Sequence, residues 1–157
     1  MDDAALKPFT PQVGEGKRGE NGYLGYVLRQ AAGAYRHRVE RALADLRVTP
    51  PQFFVLTMLA AYPGISNADL ARLTLLTPQT VSTIVANLER AGAIARQPHH
   101  YHGRIQQIDL SETGKSLLAT CRERVQDVER HMADGLSQEE ELVLRKWLVR
   151  VATSAPR

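Results

Sequence analysis

Two helix-start signals crowded between Ser66 and Gly92 constrain this chain more than any other feature. Ser66, with Asp69 three residues on, makes a capping box, in which a side-chain oxygen accepts from a backbone N–H that a new helix leaves unpaired. Thr77 followed by Pro78 is a second start almost at once, with proline at the first helical position, where its missing N–H removes nothing. The helix between them is therefore short, and Ala68, Leu70, Ala71 and Leu73 are expected to face inward. The next helix runs to about Ala91, with Gly92 as its C-terminal glycine. Its Val81, Ile84, Val85 and Leu88 fall at i, i+3, i+4 and i+7 and make one apolar face. After it, "AIARQPHHYHGRIQQIDLS" alternates apolar and polar residues at both ends around a Pro/His/Gly middle, the pattern of a two-stranded hairpin with a long tip.

The flanking segments are helical as well. Residues 1–21 hold Pro8, Pro11, Gly14, Gly16 and Gly19 among polar residues and read as a flexible N-terminal arm. From residue 22, Leu24, Val27, Leu28, Ala31, Tyr35, Val39, Ala42 and Leu46 recur at steps of three and four, a long amphipathic helix ending near Arg47. "VTPPQFFVLTMLAAYPG" starts a second helix at the Thr49 cap, with Pro50 or Pro51 in its first turn, and Pro63-Gly64 stops it. Ser111 opens a fifth helix that continues toward Gly135, and Ser137 with Glu140 is a further capping box that opens a sixth. The fold class is thus mainly α: a winged helix-turn-helix lobe over residues 48–110, with long N- and C-terminal dimerisation helices over 22–47 and 111–152.

Bulk properties narrow the function. The 157 residues are about one domain's worth. A net charge of +3 permits a nucleic-acid partner without requiring one. A single cysteine, Cys121, excludes an intramolecular disulfide and fits a reducing, cytoplasmic location. The N-terminus lacks the apolar core of a secretion signal, and no window approaches the roughly 18 apolar residues of a membrane span. No phosphate loop, HExxH, GxSxG or paired carboxylates appear, so the chain reads as neither an enzyme nor a cofactor carrier.

The fourth helix points to a partner. Opposite its apolar face lie Gln79, Thr83, Ala86 and Arg90, flanked by Thr80, Ser82 and Asn87. A merely solvated face usually alternates Lys and Glu. Here the side chains are short, which allows close approach, and they donate and accept hydrogen bonds, as base edges in the major groove require. The Thr77 cap leaves free N–H groups at a positive dipole end, suited to a phosphate. From Thr77 to Ile108 the only acid is Glu89, against Arg90, Arg96 and Arg104, with His99, His100 and His102 in the same stretch. Arg104, after Gly103 in the hairpin, is placed to enter a narrow minor groove.

"ISNADLARLTLLTPQTVSTIVANLERAGAIARQ" followed by "GRIQQIDLSETGKSLL" resembles the MarR family of bacterial transcriptional regulators, and the resemblance covers about residues 22–152. It implies a recognition helix in the major groove, with Thr77, Gln79, Thr80, Ser82, Thr83 and Asn87 as groove contacts. It makes Arg90 and Arg96 phosphate or structural partners and Arg104 the arginine of the wing. Family wings usually carry an aspartate two residues before that arginine, and here His102 stands in its place. The resemblance also implies interlocking of two subunits and control by a small, often aromatic, acidic effector, for which Tyr23, Tyr26, Tyr35, Arg38 and Phe53 are candidate lining residues.

The residues support the dimer independently. The stripe from Leu24 to Leu46, together with Leu142, Leu144, Trp147, Leu148 and Val151, is more apolar surface than one small lobe can cover. A dimer reads a pseudo-palindromic double-stranded DNA operator with half-sites about one helical turn apart. The competing readings are a metal sensor using His99, His100 and His102, with His37 or His131, and a redox switch at Cys121, where Arg122 and Arg124 lie close enough to lower the thiol pKa. A module that binds only protein would show no salt-dependent affinity for DNA.

Overall fold

The computed structural model of the protein describes residues 10–98 and 106–154. Its elements run α1 (Leu24–Leu43), α2 (Pro50–Ala61), α3 (Asn67–Thr74), α4 (Pro78–Arg90), β1 (Ile94–Pro98), β2 (Gln106–Leu110), α5 (Glu112–Ala133) and α6 (Gln138–Thr153). β1 and β2 pair antiparallel, from Ile94 opposite Leu110 to Pro98 opposite Gln106. This is the mainly helical, winged architecture that the helix signals predict.

Each helix start has its local cause. The Thr49 and Ser137 boxes close in both directions, and the Ser137 N–H holds the Glu140 carboxyl below the usual carboxylate range. The Ser66 box closes only halfway. Its hydroxyl accepts from Asp69 N–H, but the Asp69 carboxylate turns to the Ser66 hydroxyl and to Arg72 instead of the Ser66 backbone. In α3 only Leu70 and Ala71 are buried, while Leu73 is 40% exposed and Ala68 is also exposed. The inward expectation for Ala68 and Leu73 thus fails. In a two-turn helix the positions in line with Leu70 and Ala71 are Asn67 and Thr74, each three or four residues away, while 68 and 73 rotate outward.

The first helix also ends earlier than its apolar stripe predicts. α1 stops at Leu43, a 3₁₀ turn spans Ala44–Leu46, and Arg47 takes a left-handed φ of 54°. Leu43, outside the stripe, is fully buried, whereas Leu24 at the other end is 65% exposed. Ahead of α1, Gly16–Arg18 form another 3₁₀ turn, and Arg18 ties it down by donating to the Pro11 carbonyl and to Gln30.

One core serves the lobe and the long helices together. Val39 and Leu43 of α1, Val55, Leu56 and Leu59 of α2, Leu70, Val81 and Val85, Ile108 of β2, and Leu118 and Cys121 of α5 are all fully or almost fully buried. The wing is clamped to this core from the α2–α3 turn: Ile65 bridges to Ile108, and Gly64 N–H donates to Asp109 at 2.7 Å.

The α3–α4 turn carries local strain. Leu75 caps α3 with φ 56° and is 92% exposed. A side chain in that region crowds its own backbone, at about 1 kcal/mol, and here no packing offsets it. Asparagine tolerates this conformation. Leu75→Asn is therefore expected to raise stability by roughly 0.5–1 kcal/mol, seen as a higher urea midpoint at unchanged slope. A lower midpoint would show that Leu75 makes a stabilising contact.

Candidate nucleic-acid interface

α4 is positioned from three sides. Val81, Ile84, Val85 and Leu88 are buried, which fixes the helix's rotation and turns the opposite face to solvent. At its N-terminus the Thr77 hydroxyl accepts from Thr80 N–H at 3.1 Å, with the two hydroxyls 2.8 Å apart. Across the turn, the Asn67 side-chain amide donates to the Ser82 hydroxyl at 2.8 Å and pins α3 against α4.

The outward face carries Gln79, Thr80, Ser82, Thr83, Asn87 and Arg90, all exposed. Their free hydrogen-bonding capacity differs. Thr77 and Thr80 are engaged in the cap, Thr83 donates to the Gln79 carbonyl at 3.1 Å, and Arg90 donates to the Asn87 side chain at 3.1 Å. The Gln79 side chain has no partner among the described residues, so both its donors and its acceptor stay available. The face is also free of net acid, because Arg96 on β1 donates to Glu89 at 2.9 Å. This bond ties the first wing strand to the C-terminal end of α4.

The wing leaves the lobe beside α4, since β1 begins directly after the turn that ends it. His99, His100, His102 and Arg104, expected on the hairpin tip, lie outside the described residues. Sequence reasoning missed Asn67 and the long-range bonds of Ser111. Ser111 accepts from Gly114 N–H and donates to the Gly92 carbonyl, while its own N–H bonds to the Ala93 carbonyl, so the end of α4 is bolted to the start of α5. The Ser111 cap was legible as a helix start, but nothing local signals either long-range bond.

The residues expected around an effector do not share one environment within the chain. Phe53 is a core residue in a tilted contact with Phe54, ring centroids 5.8 Å apart. Tyr23, 84% exposed, and Tyr26 stand at the N-terminal end of α1. Tyr35 is half-buried, and burial first, then its hydrogen bond to Glu129, push its hydroxyl pKa up. Arg38 lines a cleft between α1 and α5.

This geometry can be set beside known proteins. A sequence profile of the MarR family matches residues 48–105. The HTH-type transcriptional repressor Rv2887 of Mycobacterium tuberculosis is 40% identical over 94 residues, covering 60% of this chain and 68% of the repressor. The chain belongs to the MarR family. The solved structure of Rv2887, a MarR family protein, in complex with salicylic acid is 31% identical, with a TM-score of 0.68, and covers 84% of this chain and 98% of that one. The repressor CouR bound to a 23-mer DNA duplex shares the MarR fold at a TM-score of 0.77 and 24% identity, over 83% of this chain and 92% of its own.

The metal reading rests on His99, His100 and His102, which lie outside the described residues; among the described residues, no group of three or more His, Cys, Asp or Glu is placed to hold a metal ion. The Cys121 thiol is fully buried, and burial pushes its pKa up, with nearby Arg124 opposing this only in part. An inaccessible thiol with a raised pKa reacts poorly with oxidants, which favours a buried, idle cysteine over a redox switch at Cys121. No helix among the described residues is long and apolar enough to cross a membrane.

Proposed function

We propose that this protein is a dimeric, cytoplasmic repressor of transcription that binds a pseudo-palindromic DNA operator, is released by a small aromatic acid, and carries out no catalysis. One observation carries the reading: an exposed, acid-neutralised face of short polar side chains on α4, rigidly held by the Thr77 cap, the Asn67–Ser82 bond and a buried apolar side. Such a face suits the major groove, where amide and hydroxyl groups match base-edge donors and acceptors. Gln79 is the strongest base-reading residue, since its amide is uncommitted and can pair in bidentate fashion with adenine. Thr80, Ser82, Thr83 and Asn87 would support it. Arg90 would reach a phosphate, as would the Thr77 end of the helix. Arg104 and the wing histidines would meet the neighbouring minor groove.

Dimerisation follows from α6, which buries none of its residues and exposes Leu142, Val143, Leu144, Leu148, Val149 and Val151. The effector class is drawn from the salicylic acid bound by the relative Rv2887, with Tyr23, Tyr26, Tyr35, Arg38 and Phe53 as candidate contacts across the assembled dimer.

A titration of the promoter DNA upstream of the protein's own gene, at several salt concentrations, tests this. Gln79→Ala is expected to cost roughly 1–3 kcal/mol at the operator and much less on unrelated duplex. Arg104→Ala is expected to weaken all duplexes alike and to lower the salt slope by about one. Equal, salt-insensitive affinity for operator and unrelated duplex by the unmodified protein would refute the reading.

A further inference from the structure

A cleft of about 630 Å³ lies between α1 and α5, no residue of α4 lines it, and its walls are strongly cationic. Arg38 and Arg41 line it from α1, Arg124 and His131 from α5, and Ala42 and Val128 supply the apolar surface between them. Its volume falls within the roughly 300–1,000 Å³ of small-molecule sites.

The balance of charge inside it is uneven. Arg124 is held by a two-point bond to Asp45, at 3.1 and 2.9 Å. Asp127, the carboxylate on the cleft wall, is paired with Arg130. His131 donates Nδ1–H to the Asp127 carbonyl at 2.6 Å, which fixes its ring. Arg38 and Arg41 have no ion pair among the described residues, although, one turn apart on α1, they share a face. Two neighbouring guanidinium groups without a counterion repel each other, and a third stands across the cleft. Guanidinium forks favour planar or tetrahedral oxyanions over halide because they make paired, charge-assisted hydrogen bonds. One carboxylate would leave part of this charge uncompensated.

We propose that the α1–α5 cleft binds a small, multiply charged oxyanion, with its charge on carboxylate or phosphate groups. Arg38 and Arg41 grip one end, and Arg124, oriented by Asp45, meets the other. The occupant bridges the helix that anchors the core to the helix bolted to the end of α4. Of the effector candidates only Arg38 lines this site, while Tyr23, Tyr26, Tyr35 and Phe53 do not, and it needs no DNA to be occupied.

Calorimetric titration of the full chain with citrate and with inorganic phosphate, against chloride at equal ionic strength, tests the proposal. Saturable binding at one anion per chain is expected, and whichever anion binds more tightly assigns the carboxylate or phosphate class. Arg38→Gln with Arg41→Gln should weaken that binding at least tenfold, roughly the loss of two charge-assisted contacts, while Arg36→Gln on the same helix leaves it unchanged. These side chains are exposed, so the fold should persist, and an unchanged circular dichroism spectrum checks it. No saturation beyond chloride would overturn the proposal, as would equal binding by the double variant, which would place the anion elsewhere. Two further results also overturn it: dissociation of the double variant into monomers, which would make a second copy's acidic side chains the occupant, and displacement of citrate by DNA with a matching loss of DNA affinity. Apart from the displacement by DNA, none of these outcomes depends on whether the α4 face reads an operator.

Discussion

Leu144→Asp with Leu148→Asp is expected to convert the protein from a dimer to a folded monomer that no longer holds an operator tightly. α6 makes the argument. It buries no residue against its own chain, and Leu142, Val143, Leu144, Leu148, Val149 and Val151 are all exposed, Val143 to 61%. Burial of a side chain of this size is favourable by about 1.5–3 kcal/mol, and monomeric proteins rarely leave so continuous an apolar surface in water. Tyr23, Leu24 and Tyr26, at the start of α1, are exposed as well. A carboxylate buried in such an interface without a partner costs several kcal/mol. With two per subunit and four per dimer, the dimerisation constant should fall by roughly a thousandfold or more, about 4 kcal/mol. Light scattering after size exclusion reads the mass directly. Because both leucines are exposed in the single chain, helical content should hardly change. A dimer that survives both substitutions would mean that α6 does not form the interface.

The second large effect is expected at Gly114. A Cβ built there lies 1.9 Å from the Ala93 carbonyl oxygen and 2.8 Å from its carbon, so both sides of the clash are backbone and neither can swing away. Helix propensity alone would favour alanine over glycine inside α5 by about 1 kcal/mol. The clash has the opposite sign and is larger. Overpacking of this kind costs roughly 1–3 kcal/mol, and here relief requires parting the α4–α5 joint made by Ser111 with Gly92 and Ala93. Gly114→Ala should therefore lose about 2 kcal/mol net in urea unfolding, despite its better propensity. It should also lower operator affinity more than its stability loss explains, because the C-terminal end of α4 shifts with the joint. A gain in stability would show that propensity dominates and that the close approach is soft.

Helix starts were legible because capping is a three-residue event. Ser111 and Ser137, like Thr49 and Thr77, each accept from the backbone N–H three positions on. The α4 face was legible for a similar reason: a 3.6-residue period places Val81, Ile84, Val85 and Leu88 on one side and so turns Gln79, Thr83 and Arg90 to the other. The two-turn α3 was less so, because a period needs length, and two turns could not distinguish Leu73 from Thr74 as the inward residue.

The sequence alone determined which segments become helices, where most of them begin, and which side of α4 meets solvent. Each of these depends on partners a few residues apart, so local chemistry suffices. Only the tertiary structure decided that Asn67 restrains Ser82, that Arg96 neutralises Glu89, that Cys121 is sealed in the core, and that Gly114 must lack a side chain. The cationic cleft between α1 and α5 belongs with these, joined as it is by an ion pair between Asp45 and Arg124. Such contacts arise where distant parts of the backbone come within a bond length or two of each other, and that closeness is a product of packing rather than of any pattern along the chain.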